Sequence, residues 1–110
     1  MQIFEGKKND INIYRLRGRL DSNSSLDLEK KIFGAIDHGS KEIVLDFEDL
    51  DYISSAGLRV ILKATKDLKH SDGRLILCAM KDYVKEVFEI SGFDSFLPIT
   101  TSLDDALKRF

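Results

Sequence analysis

Two short apolar runs constrain this chain most: "EIVLDF" at 42–47 and "RLILCAM" at 74–80, held apart by a segment with a helical repeat. Both are rich in β-formers and neither alternates cleanly between apolar and polar residues, the pattern of a strand buried on both faces. Two such strands joined through a helix predict parallel neighbours with a right-handed crossover. The sheet they belong to then needs cover on both sides.

The rest of the chain fits around that pair. Residues 2–5 and 11–17 read as strands, with "GKKND" turning the chain between them. In "INIYRLR", Ile11, Ile13 and Arg15 share one face and Tyr14 and Leu16 the other, so the pattern leaves the buried face open. Leu28, Ile32, Ala35 and Ile36 recur at helical spacing, with Gly39 where a C-terminal cap belongs and Ser24 and Asp27 forming a weak capping box. Residues 55–69 predict a helix with Leu58, Ile61, Leu62, Thr65 and Leu68 inward and Val60 and Ala64 at the margin. "KDYVKEVFEISG" predicts another, with Val84, Val87, Phe88 and Ile90 inward. "SFLPI" at 95–99 reads as extended, its Pro98 favouring an edge, and "TSLDDALKRF" as a last helix capped by Ser102 with Asp105 at the third position. The order β-β-α-β-α-β-α-β-α describes an α/β fold: one domain over 1–110, a small mixed β-sheet with helices packed around it.

Bulk properties exclude several functions. Lys and Arg number 17 against 19 Asp and Glu, a net charge of -2, so no global basic excess exists to hold a nucleic acid or an anionic membrane. The longest uninterrupted apolar run, 75–80, is about a third of a membrane-spanning helix. The N-terminus lacks the layout of a signal peptide, and the lone Cys78 permits neither an internal disulfide nor a zinc pattern; a cytoplasmic protein is expected. A nucleophilic serine needs a base within reach; the only histidines, His38 and His70, sit near helix C-termini, where they are expected to meet free carbonyls instead. "SSAGL" is not a nucleophile elbow, and no phosphate-binding glycine loop occurs. Asp46, Glu48, Asp49 and Asp51 form an acidic stretch after a strand, able to hold a metal or simply to be solvated. The expectation is a protein with no catalytic residues, no cofactor and no resident metal.

That leaves the junction "LDYISSAGLRVIL" at 50–62. One capping hydroxyl suffices at a helix start, and Ser54 suits that role. Ser55 then falls in the first turn on the outer side, with Arg59 and Lys66, while Lys63 extends the basic stripe. The unpaired N–H groups and the positive end of the helix dipole would receive a phosphate there, with Arg59 one turn on. Gly57 would let the turn approach a neighbour closely. Capping alone also accounts for a Ser-Ser pair, and close packing for the glycine.

"GRLDSNSSLDLEKKI", "IVLDFEDLDYISSAGLRVILKATKDLK" and "VKEVFEISGFDSFLPITTSLDDAL" together resemble the STAS domain, named for sulfate transporters and anti-sigma factor antagonists, over roughly 11–108. The resemblance implies a mixed sheet with helices around it. It implies an anti-sigma factor antagonist that binds a serine-kinase anti-sigma factor while unmodified, is released by phosphorylation, and is restored by a serine phosphatase. Aligning the family's Asp-Ser-Ser/Thr-Gly-Leu motif gives Ser54, Ser55, Ala56, Gly57 and Leu58, with Ser55 as phosphoacceptor and Ser54 as the lesser candidate. Ser54 replaces the family's Asp and removes a charge beside the acceptor. Asp21 matches the acid of a Gly-x-Leu-Asp turn and, with Asn23 and Ser25, is expected beside the acceptor loop; for Asp21 a turn role and a contact role are both open. The implied partner surface joins Asp21, Asn23, Ser25, Ser54, Ser55, Ala56, Gly57, Arg59 and Lys63, on a monomer or weak dimer. The alternative is a scaffold or subunit of a transport or signalling assembly that is never phosphorylated.

Overall fold

The computed structural model describes residues 1–95 and 97–110. The chain order is β1 (Gln2–Lys8), β2 (Ile11–Leu20), α1 (Ser24–Asp37), β3 (Glu42–Ile53), α2 (Ser55–His70), β4 (Arg74–Cys78), α3 (Asp82–Ile90), a 3-10 turn (Phe93–Ser95), β5 (Ile99–Thr100) and α4 (Leu103–Leu107). The strands lie in the sheet in sequence order, β1-β2-β3-β4-β5. β1 and β2 are antiparallel and the remaining pairs parallel. The expected architecture is present.

The topology determines where the helices go. From β2 to β5 the sheet grows in one direction, and successive right-handed crossovers in one direction place their helices on one face. α1, α2 and α3 accordingly share a face with Tyr14, Leu16, Ile43, Leu45, Phe47, Leu75 and Leu77, and supply Leu28, Ile32, Ile61, Leu68, Val84 and Phe88 to that core. The opposite face is left to α4. Ala106, with Leu103 and Leu107, covers a second, smaller core of Ile11, Val44, Ile76 and Cys78, with Ile13 at its edge. This resolves the ambiguity of "INIYRLR": β2 is covered on both faces at its start, and Arg15 marks where the cover of α4 stops.

β3 runs six residues beyond the expected 42–47. Its pairing with β2 shifts twice, Arg15 opposite Asp46 but Arg17 opposite Asp49, then Gly18 opposite Leu50 but Arg19 opposite Tyr52. Each shift places an extra residue on β3, the signature of a bulge. The bulges replace the two-residue alternation by a three-residue one, so Phe47, Leu50 and Ile53 all face the core while Glu48, Asp49, Asp51 and Tyr52 are exposed. A strand with that repeat does not look like a strand in sequence.

Other boundaries move for local reasons. The first hairpin turns on Asn9, whose φ of 57° suits a two-residue turn, so β1 continues to Lys8. β4 stops at Cys78, ahead of Ala79 at φ 59°. Ser24 does not form a capping box with Asp27; it lies inside the first turn of α1, its hydroxyl donating to Arg19 O at 2.7 Å. Ile90 is 80% exposed rather than inward, because it sits well off the face of Val84 and Phe88. Val60 and Ala64 are buried rather than marginal, since α2 is packed against α1 as well as the sheet; Lys63 Nζ lies 3.9 Å from Glu29 and 5.0 Å from the Phe33 ring centre. The expected extended segment 95–99 contains Phe96, which lies outside the described residues; of the others, Ser95 is in the 3-10 turn and Ile99 in the edge strand. Ser102 caps α4 as expected, accepting from Asp105 N at 3.1 Å.

Cys78 lies fully buried in the smaller core. Burial, with the nearby carboxylates of Asp46 and Glu48, pushes its thiol up to about 12. A native thiol both enclosed and protonated is inert. At pH 8 the folded protein is expected to react with a disulfide reagent at least about a hundredfold more slowly than the urea-unfolded chain, whose thiol titrates near 8.5. Stopped-flow labelling with and without urea measures this, and equal rates would contradict the packing of α4.

Candidate functional site

The carboxyl ends of β2 and β3 bring the two loops of interest together. Ser54 N donates to Leu20 O at 2.8 Å, tying the start of α2 to the end of β2. Ser54 is extended at φ -94°, ψ 170°, and its Oγ accepts from Gly57 N at 3.2 Å, the N-cap expected of it. Leu58 N donates to Ser54 O at 3.0 Å, closing the first helical turn. The N–H groups of Ser55 and Ala56 are in no hydrogen bond among the described residues. They are the unpaired donors that every helix start leaves.

Gly57 is what allows this approach. A Cβ there would stand 2.7 Å from Leu20 Cγ and 3.2 Å from Ile53 Cγ1. Leu20 is fully buried and Ile53 nearly so, leaving neither room to retreat. The absent side chain is therefore a packing requirement. It fixes the first turn against the strand ends, with Ser55 on the exposed side and Ala56 half-buried beside it.

The loop after β2 is held by Asp21. One carboxylate oxygen accepts from Ser24 N at 2.9 Å and Asn23 N at 3.0 Å, and lies 3.0 Å from the Ser24 hydroxyl, whose one proton it shares with Arg19 O. These bonds, led by that of the Ser24 backbone, hold the Asp21 carboxyl below its ordinary value. Asp21 thus performs the capping of α1; Asn23, at the formal cap position, is exposed and makes no side-chain cap. Ser25 is only 3% exposed, with its hydroxyl donating to Ser22 O at 3.0 Å, so it supports the loop from below.

Arg59 and Lys63 follow Ser55 along the exposed side of α2, one and two turns on. Between α1 and α2 lies a shallow groove of about 260 Å³ whose walls include Ser22, Leu26, Ala56, Arg59, Val60 and Lys63. It continues along the same helix pair past Phe33 and Asp67. Leu26 is 58% exposed on its rim. Sequence reasoning missed Leu26, although its position two residues ahead of inward Leu28 placed it off the buried face of α1.

The acidic stretch does not gather. Asp46 is buried and accepts from Glu48 N at 3.0 Å; Asp49 lies 3.7 Å from Arg15; Asp51 bonds to Lys81 and Tyr83, which holds its carboxyl below the ordinary value. Among the described residues no group of His, Cys, Asp and Glu is arranged to hold a metal ion. His38 Nδ1 lies 2.7 Å from Gly34 O at the end of α1, the carbonyl contact expected of it. Among the described residues no helix is long and apolar enough to cross a membrane.

Residues 6–106 match the family model described as STAS domain. The chain is 42% identical over 110 residues to BtrV of Bordetella bronchiseptica, which is assigned to the anti-sigma factor antagonists, with 100% of this chain and 95% of that protein aligned. It is 30% identical to the anti-sigma F factor antagonist of Paenibacillus polymyxa, over 99% of this chain and 94% of that one. The anti-sigma factor antagonist SpoIIAA, a Bacillus cell fate determinant, superposes with a TM-score of 0.78 at 25% identity and 98% coverage of this chain. Its structure is known both unphosphorylated, with 96% of that chain covered, and phosphorylated, with 98% covered.

Two consequences can be measured. Gly57→Ala is expected to destabilise the protein by about 1–3 kcal/mol through overpacking, read from urea unfolding. Asp21 has a folded-state carboxyl more acidic than the unfolded one, so the stability it adds is complete above the unfolded value and is lost as pH falls through the lower folded value. Asp21→Asn is expected to be less stable than the parent at pH 7, with the gap closing on acidification below about pH 4. A gap independent of pH would show that the carboxylate charge plays no part in holding the loop.

Proposed function

Since the chain belongs to the STAS domain family, we propose that it is a cytoplasmic anti-sigma factor antagonist whose binding is switched at Ser55. In this reading the unmodified protein captures a serine-kinase anti-sigma factor and so frees a sigma factor for transcription. The partner brings the ATP and transfers phosphate to Ser55. The complex then separates, and a serine phosphatase restores the binding form. This chain needs no catalytic residue and no cofactor for that cycle.

The observation that carries the reading is the exposed position of Ser55 at the start of α2, beside unpaired backbone donors and one turn before Arg59. A phosphoryl group there adds about -1.5 to -2 charges while meeting a favourable helix end. The fold therefore tolerates the modification, and a partner surface fitted to a neutral hydroxyl does not. Relatives named as anti-sigma factor antagonists, and a fold relative known in both phosphorylation states, support the same cycle. The docking surface would run from Asn23 and Ser22 through Ser55 and Ala56 to Arg59 and Lys63, with Leu26 as an apolar contact. Asp21, Ser25, Ser54 and Gly57 would shape it from beneath. Ser54, whose oxygen serves as the cap, is the lesser acceptor.

A like charge or an unpaired charge enclosed in an interface costs several kcal/mol. A loss of about 3 kcal/mol weakens binding by roughly two orders of magnitude, which is enough for a switch. Ser55→Asp is expected to lose affinity for the cognate anti-sigma factor by about that factor, and Ser55→Ala to bind regardless of ATP. Calorimetry of the purified pair reads both. Intact-mass measurement after incubation with host lysate and ATP should show one added phosphoryl group, absent from Ser55→Ala. A mass that stays unmodified would instead favour a scaffold or subunit of a transport or signalling assembly.

A further inference from the structure

The sheet face that carries α4 is covered at only one end. Beyond Ile13 the outward positions of β2 are Arg15, Arg17 and Arg19, all exposed. Phe4 of β1 stands opposite Arg15 in the antiparallel register, and Tyr52 of β3 opposite Arg19. Both rings are exposed for their size, at 40% and 39%. Arg15 Cζ lies 5.1 Å from the Phe4 ring centre and Arg19 Cζ 4.2 Å from that of Tyr52. Arg15 lies 3.7 Å from Asp49; Arg17, opposite Asp49 in register, and Arg19, whose charge helps hold the Asp51 carboxyl low, are in no ion pair among the described residues.

We propose that this arginine ladder is a docking surface for an extended acidic segment of a protein partner, separate from the Ser55 surface. Residues two apart on a strand recur at about 7 Å, the same repeat as alternate side chains of an extended ligand chain. Carboxylates at every second position of such a segment would meet successive guanidinium groups. Stacking on Phe4 and Tyr52 holds two of those groups in place, so little side-chain freedom remains to be lost on binding. Arginine with exposed aromatics is also the composition of interface hot spots.

The neighbouring charges decide between a protein and a nucleic acid. Glu48, Asp49 and Asp51 are exposed on β3, alongside the ladder, and the chain carries a net charge of -2. A phosphate backbone carries charge at every unit and would run against those carboxylates. A protein segment can place its carboxylates over β2 alone and set neutral side chains over β3.

The test is an amide NMR titration of the full-length protein with a synthetic peptide of alternating glutamate and threonine. A lysine–threonine peptide and a short oligothymidylate of equal length serve as comparisons. The acidic peptide is expected to shift Phe4, Arg15, Arg17, Arg19 and Tyr52, and to bind several-fold more weakly when salt rises from roughly 0.05 to 0.3 M. The double variant Arg17→Gln/Arg19→Gln, its fold checked in the same spectra, is expected to lose affinity about tenfold. Lys66→Gln is expected to bind as the parent does. No shifts on this face, tighter binding of oligothymidylate there, or a double variant with parental affinity would each overturn the proposal.

Discussion

The close approach of the first turn of α2 to the ends of β2 and β3 is the constraint on which the site depends. Gly57 carries no side chain to collide with Leu20 and Ile53, and Ser54 fastens the turn to Leu20 by a backbone hydrogen bond. The loop held by Asp21 follows Leu20 directly, so the same contact sets the 21–25 loop beside the helix start. Three local features in different parts of the chain thereby become one surface. Their cooperation rests on packing at van der Waals distance, where a single added carbon has nowhere to go.

A second constraint comes from topology. A parallel sheet that grows in one direction gathers its crossover helices on one face. Here that leaves the other face with a five-residue helix for cover. The sheet is consequently dry on one side along β3, β4 and most of β2, and dry on the other only near Ile11, Val44, Ile76 and Cys78. The bulges of β3 begin just where this cover ends, and they keep Phe47, Leu50 and Ile53 in the larger core while releasing the alternate positions to solvent. Cover on one face and irregular pairing within the strand are thus two sides of one arrangement.

Much of this was legible in the residues because it depends on short-range physics. Helical spacing identified α1 and α2, the hydroxyl before the apolar repeat identified the cap, and the placement of Ser55 outside followed from a turn of about 100° per residue. What escaped depends on partners distant in sequence. The extension of β3 is invisible without β2 beside it, since a bulge exists only relative to a register. Ser25 reads as a surface hydroxyl until the loop folds back over it. Val60 and Ala64 are marginal on a wheel and buried in the protein, because a wheel cannot show that α1 lies alongside. A turn role for Asp21 follows from Asx chemistry, but its capping of α1 through Asn23 N and Ser24 N depends on how the 21–24 loop folds back.

The smaller core unites residues from opposite ends of the chain, Ile11 on β2 and Ala106 on α4. A helix as short as α4 has little stability in isolation, so it forms only on a surface already prepared for it. During synthesis the other helices can settle on their face as each strand emerges. The second face has to wait, its apolar patch bare, until the last helix has left the ribosome. The contacts between Ile11 and α4 therefore carry the loop-closure cost of a long sequence separation, and a chain lacking α4 would present a finished front and an unsealed back.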